Sequence, residues 1–144
     1  FQTLLGLETL SLRMKKHVSN ARKIANWLEQ HPKIDKVTYA GLKSSKYYDL
    51  AKSLLPKGAG ALFTISLKEG YEACIKMINK LNLFSHVSNL GDTRSLIIHP
   101  ASTVHRQLTE QQQINAGLAP NVIRLSIGIE DPKDLIDDLK QALE

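Results

Sequence analysis

Arg124 stands in the run Val122-Ile-Arg-Leu-Ser-Ile127, between Ile123 and Leu125. A guanidinium in such a run is costly to bury unless an anion pairs with it. Its planar fork of donors suits two-point capture of a carboxylate. Upstream lies a polar stretch from Ser88 through Arg94, then a loop from Pro100 to His105 centred on Ser102. Together these segments read as half of a carboxylate-binding pocket. The alternative gives Arg124 a structural ion pair with an acid of the same chain, Asp92 or Glu130. On the residues alone the two stand about even.

Other residue patterns carry less chemistry. Lys57-Gly-Ala-Gly-Ala61 has the look of a phosphate loop, but a phosphate loop opens a helix whose amides hold the anion. Here the glycines lead into a strand, which predicts a tight turn. His86, His99 and His105 show no i, i+4 pair and have no cysteine nearby, so no metal site is expected. A hydrolase built from Ser102, His105 and Asp92 lacks the Gly-x-Ser-x-Gly elbow. Cys74, between Ala73 and Ile75 on a predicted helix, reads as a packing residue.

The elements that must hold Arg124 in place follow from the periodicities. Leu7, Leu10, Met14, Val18, Ala21, Ile24, Ala25 and Leu28 recur in steps of three and four, which predicts one long amphipathic helix over 4–30, ended by Pro32. Strands are predicted at 34–39, 61–67, 84–87, 95–98 and 122–127. Shorter helices are predicted at 47–55, 71–81 and 109–117. A last helix starts at Asp131-Pro132, with Asp131 as cap and Pro132 at the first helical position. Its buried stripe is Leu135, Ile136, Leu139, Ala142 and Leu143. The strands are short and half-polar, so a two-layer α/β (α+β) domain with helices on one face of the sheet is expected, the first helix projecting from it.

The bulk composition narrows the function classes. The 144 residues fit one domain, and 42% apolar with 23% charged residues is an ordinary globular balance. Residues 1–58 hold eleven Lys/Arg against four Asp/Glu, and residues 59–144 hold eight against ten. The basic excess has no interleaved aromatics and reads as a solvated helix face, so no nucleic-acid partner is expected. No apolar run approaches bilayer length, so no membrane partner is expected. Phe1-Gln2-Thr3 lacks the basic start and cleavage site of a signal peptide, and the missing initiator Met fits a piece of a longer chain. The lone Cys74 leaves no intramolecular disulfide and fits a reducing, cytoplasmic compartment.

Asn89-Leu-Gly-Asp-Thr-Arg-Ser-Leu-Ile-Ile-His-Pro-Ala-Ser-Thr-Val-His105 resembles a signature region of the Cys/Met-metabolism enzymes, which are pyridoxal-phosphate (PLP) enzymes of the aspartate-aminotransferase fold type. Gly6-Leu-Glu-Thr-Leu-Ser-Leu-Arg-Met14, Pro56-Lys-Gly-Ala-Gly-Ala61 and Val122-Ile-Arg-Leu-Ser-Ile-Gly-Ile-Glu130 match in the same order. Within the family the Asn-Leu-Gly-Asp and His-Pro-Ala-Ser-Thr pair is most similar to O-acetylhomoserine sulfhydrylases. Cystathionine synthases and lyases more often show Ser-Leu-Gly-Gly there.

The resemblance implies a small C-terminal domain over 31–144 with a mostly antiparallel sheet, joined by a connecting helix over 1–30 to a larger PLP domain. It implies that Arg124 grips the substrate α-carboxylate, that Asn89 and Leu90 line the pocket, and that Thr103 lies in its wall. Val104 departs from the Thr common in relatives. His99 and His105 would shape the loop. The cofactor lysine, in a Ser-x-Thr-Lys context, is absent from this chain, so no catalytic or cofactor-binding residue is expected here and the fragment alone should be inactive. The parent enzyme would be a homotetramer converting O-acetylhomoserine and sulfide to homocysteine and acetate. Cystathionine γ-synthesis, cystathionine cleavage and methionine γ-elimination are the family alternatives, and a non-enzymatic basic binding module is a distant one.

Overall fold

The apolar stripe that starts at Leu7 runs through two helices rather than one. Helices α1 (Gln2–Glu8) and α2 (Leu10–Glu29) part at Thr9, whose φ of −104° and ψ of 2° leave the helical region. Arg13 spans the break, donating from Nη2 to the Gly6 carbonyl at 2.6 Å and from Nε to Thr9 Oγ1 at 3.3 Å. A stripe records which side of a helix is apolar and not where its backbone bends, so the expected single helix over 4–30 is corrected here. The computed structural model describes all 144 residues, the side chain of Glu110 excepted.

Burial begins only at the second turn of α2. His17, Asn20, Ala21, Ile24, Ala25 and Leu28 are buried, whereas Leu4, Leu5, Leu7, Leu10, Leu12 and Met14 are exposed. Val18, expected on the buried stripe, is half-buried. The N-terminal helical stretch therefore projects from the domain, as expected, and its stripe residues Leu7, Leu10 and Met14 find no core to cover them within this chain.

Five strands form one sheet: β1 (Ile34–Thr38), β2 (Leu62–Leu67), β3 (Ser85–His86), β4 (Leu96–Ile98) and β5 (Val122–Ser126), in the order β1-β2-β5-β4-β3. The first three contacts are antiparallel and β4–β3 is parallel. The remaining helices are α3 (Tyr48–Leu54), α4 (Tyr71–Lys80), α5 (Glu110–Asn115) and α6 (Pro132–Leu143), with a 3₁₀ turn at Pro100–Ser102. One side of the sheet supplies Phe63, Ile65, Leu67, Ile97, Ile123 and Leu125 to a core completed by Ile24 and Leu28 of α2, Met77 of α4, and Leu135 and Leu139 of α6. Each such aliphatic side chain contributes roughly 2 kcal/mol when fully buried. The mostly antiparallel two-layer fold is thus the one expected.

Helix ends follow their sequence signals. Thr109 Oγ1 accepts from Gln112 N–H at 3.3 Å while Gln112 Oε1 accepts from Thr109 N–H at 2.9 Å, a reciprocal cap on α5. Asp131 Oδ1 accepts from Lys133 N–H at 2.8 Å at the start of α6. Asp138, which the periodicity leaves out of the α6 stripe, is buried. Its carboxylate accepts from Asn82 N–H at 3.0 Å and Leu83 N–H at 2.8 Å, holding the loop between α4 and β3. Cys74 is fully buried, and burial pushes its thiol up to about 12.

Candidate functional site

Register fixes where Arg124 points. It lies in β5, the middle strand, opposite Thr64 of β2 and Ile98 of β4. Alternate residues of a strand face opposite sides, so Thr64, Arg124 and Ile98 share the sheet face away from the helical core. Arg124 is half-buried there, and its Nη2 makes one long contact, 3.5 Å, to Ser88 Oγ.

Both acids that could have paired with it are engaged elsewhere. Asp92 Oδ2 pairs with Arg94 Nη2 at 3.2 Å and its Oδ1 accepts from Arg94 N–H at 3.0 Å. Hydrogen bonding from the Arg94 side chain holds the Asp92 carboxyl below its ordinary range. Glu130 accepts from Ser95 N–H at 2.6 Å and from Ser95 Oγ–H at 2.9 Å, and Ser95 Oγ in turn accepts from Gly128 N–H at 2.9 Å. A Cβ at Gly128 would collide with the Thr93 carbonyl and the Glu130 carboxylate, so this crossing of chains requires glycine. Among the described residues no carboxylate comes within 4.0 Å of Arg124. The intrachain ion pair with Asp92 or Glu130 is overturned.

The loops around the arginine are internally braced. Gly91, at φ +74°, turns the segment that follows Ser88, and Asn89 Oδ1 accepts from Leu90 N–H at 2.9 Å. Asn89 is exposed beside the Ser88 contact, with its side-chain N–H groups unpaired among the described residues. Leu90 turns toward a shallow apolar hollow shared with Met14, His17 and Leu62. Thr103 Oγ1–H donates to the His99 carbonyl at 2.7 Å, inside its own loop. The structure thus brings Ser88 to Arg124, with Asn89 the next residue along the chain, and places Thr103 in the loop that leaves β4 after Ile98.

His99 is fully buried and braces that loop. Its Nε2 lies 2.6 Å from the Pro120 carbonyl, which can only accept, so Nε2 carries the proton and Nδ1 accepts from Ser102 Oγ at 2.8 Å. Gln113, overlooked in the sequence, is buried and donates to the Ala101 carbonyl at 3.2 Å and the His105 carbonyl at 3.0 Å. Ser88 and Thr64 were overlooked as well. Strand alternation signals Thr64, whereas nothing local singles out Ser88.

Residues 1–144 match the family model for Cys/Met metabolism PLP-dependent enzymes along their whole length. The chain belongs to that family. Among Cys/Met metabolism PLP-dependent enzymes it is 47% identical over 140 residues to O-acetyl-L-homoserine sulfhydrylase 1 of Thermus thermophilus, covering 97% of this chain and 33% of that protein. It is 47% identical to homocysteine synthase of Schizosaccharomyces pombe, covering 100% and 34%. An L-methionine gamma-lyase of Fusobacterium nucleatum is 42% identical, covering 100% and 36%. A solved Campylobacter jejuni structure, described as an O-acetylhomoserine (thiol)-lyase with pyridoxyl-lysine phosphate, superposes with a TM-score of 0.91 at 48% identity, covering 97% of this chain and 33% of that one. The chain spans about a third of the length of these relatives. The neighbours of Arg124, namely Ser88, Thr64 and Ile98, include no amine able to condense with the aldehyde of PLP. They do not fit the family's cofactor, and what they leave open is a guanidinium with no carboxylate partner among the described residues.

Proposed function

We propose that this chain is the C-terminal, substrate-carboxylate-binding part of a PLP-dependent O-acetylhomoserine sulfhydrylase. Residues 1–30 would connect it to the cofactor domain and 31–144 would form the domain itself. One observation carries this reading: a half-buried arginine in the middle strand has no partner carboxylate among the described residues, while Asp92 and Glu130 are bonded to Arg94 and Ser95. The Arg124 fork would take both oxygens of the amino acid's carboxylate, and an Asn89 side-chain N–H would donate to one of them. Leu90 and Thr103 would border the site. Fixing that end holds the γ-carbon, from which acetate leaves and to which sulfide adds, in one orientation. The chain alone would be inactive, and the parent is proposed as a cytoplasmic homotetramer, in line with the family resemblance.

The test uses the full-length enzyme. With O-acetylhomoserine and sulfide, homocysteine should form. Arg124→Ala should raise KM about a hundredfold, the order expected when a charged hydrogen-bonded partner is removed (about 3 kcal/mol). Unchanged kinetics would refute the assignment. The similarity to L-methionine gamma-lyases favours one second reading, elimination from methionine. Release of methanethiol and ammonia from methionine, without homocysteine synthesis, would select it.

A further inference from the structure

Among the described residues one buried side-chain polar atom lacks any partner, His17 Nε2. The ring's other nitrogen, Nδ1, lies 2.6 Å from the Ile127 carbonyl. A carbonyl only accepts, so Nδ1 carries the proton and, in the neutral ring, Nε2 is left as a lone-pair acceptor. His17 is 2% exposed and lines the shallow hollow whose other walls include Met14, Leu62, Leu90 and Gly91. An acceptor enclosed among apolar groups is unfavourable until a donor reaches it. Beyond Met14 the stripe spacing carries on through Leu10, Leu7 and Leu4 on the two helices, all exposed, as is Phe1. An exposed apolar strip of this kind is an interaction surface.

We propose that the polypeptide preceding Phe1 docks on this strip and donates a hydrogen bond to His17 Nε2. This rests on the reading above that the chain is the C-terminal part of a longer enzyme, about a third of the length of its relatives. The upstream part would enter at Phe1, at the outer end of the strip, so its docking is intramolecular and needs no high affinity. A second copy of the chain has no such advantage. His17 then joins the two parts: Nε2 takes the upstream donor, and Nδ1 holds the residue just past β5, three positions beyond Arg124. It is a positioning residue for the carboxylate anchor and touches no substrate.

The experiment compares full-length protein with the 144-residue chain, both labelled with 15N-histidine, by magic-angle-spinning NMR. The His17 signals are assigned by their loss in His17→Asn or, where that variant does not fold, by elimination with His31→Asn, His86→Asn and His105→Asn, the remaining His99 being told apart by its protonated Nε2. Docking predicts an unprotonated Nε2 in both samples, shifted upfield in the full-length protein by the donated hydrogen bond. In full-length His17→Asn the amide still reaches the Ile127 carbonyl but offers nothing at the Nε2 position. Hydrogen exchange across residues 4–14 should quicken at least tenfold, and KM should rise more than kcat falls. Identical Nε2 resonances in the two samples would overturn the proposal. So would an upfield signal already in the 144-residue chain with concentration-dependent sedimentation, which would assign the hollow to a second copy. The resonance does not depend on Arg124, so failure here and failure of the carboxylate-anchor reading are told apart by the Arg124→Ala kinetics.

Discussion

Neutralising Arg124 and Glu130 separately distinguishes a ligand anchor from a structural charge without any substrate. Arg124→Gln removes a guanidinium whose one recorded protein contact is 3.5 Å to Ser88 Oγ. Nothing buried is left unpaired, and a basic chain loses one positive charge, so the stability change should stay within about 0.5 kcal/mol. Glu130→Gln is different. Its carboxylate accepts at 2.6 and 2.9 Å from Ser95, and a glutamine offers one oxygen, so with that oxygen on the Ser95 N–H the Ser95 hydroxyl loses the acceptor for its proton. Losing one charge-assisted bond at a half-buried site costs about 2 kcal/mol. With a urea dependence of about 2 kcal/mol per molar, the unfolding midpoint should drop by about 1 M. The single tryptophan, Trp27, half-buried on α2, reports the transition by fluorescence. The double variant should be additive, because the two groups share no contact. An Arg124→Gln loss as large as that of Glu130→Gln, or strong coupling between them, would place the arginine in a structural pair and remove the ground for the anchor.

Three further outcomes are expected. Asp138→Ala should cost about 2–3 kcal/mol and speed exchange of the Asn82 and Leu83 amides, since its carboxylate is their acceptor; slow exchange in the variant would contradict this. Native Cys74 should resist maleimide at pH 8 and react once urea unfolds the chain. Burial raises its thiol from about 9 to about 12, so the folded state holds the proton more tightly and this contribution, present below pH 9, is lost as pH climbs toward 12. Labelling at equal rates in native and unfolded protein would refute the burial. Gly128→Ala should cost at least about 2 kcal/mol by urea titration, because the added carbon meets the Thr93 backbone rather than a flexible side chain end; a wild-type midpoint would mean the crossing at Thr93 is looser than described.

Legibility in the sequence tracked how local the cause was. The caps at Thr109 and Asp131 work within three residues of themselves and were plain to read. The turn after Pro56 and the half-polar strands were equally local. The break at Thr9 was hidden because Leu7, Leu10 and Met14 keep their spacing across it. Buried polar residues were missed for the opposite reason. His17 and Asn20 bond carbonyls of Ile127, Gly128 and Glu130 from the far end of the chain, and Asp138 bonds amides more than fifty residues upstream. Arg124 was visible as an arginine in an apolar strand, but whether it had an internal partner depended on where Asp92 and Glu130 turn. Only the crossing of residues 93–95 over the end of β5 decides that.

β5 is hydrogen-bonded along both edges, to β2 and to β4. The backbone under Arg124 is therefore clamped, and its guanidinium has only side-chain torsions with which to adapt. For the proposed reaction this makes the domain a ruler with a fixed zero. Every amino acid held by Arg124 in that reaction would begin at the same mark, so one extra or missing methylene would not be absorbed at the carboxylate. It would appear in full at the far end, as a reacting carbon out of place, and chain-length selection would then need no further contacts.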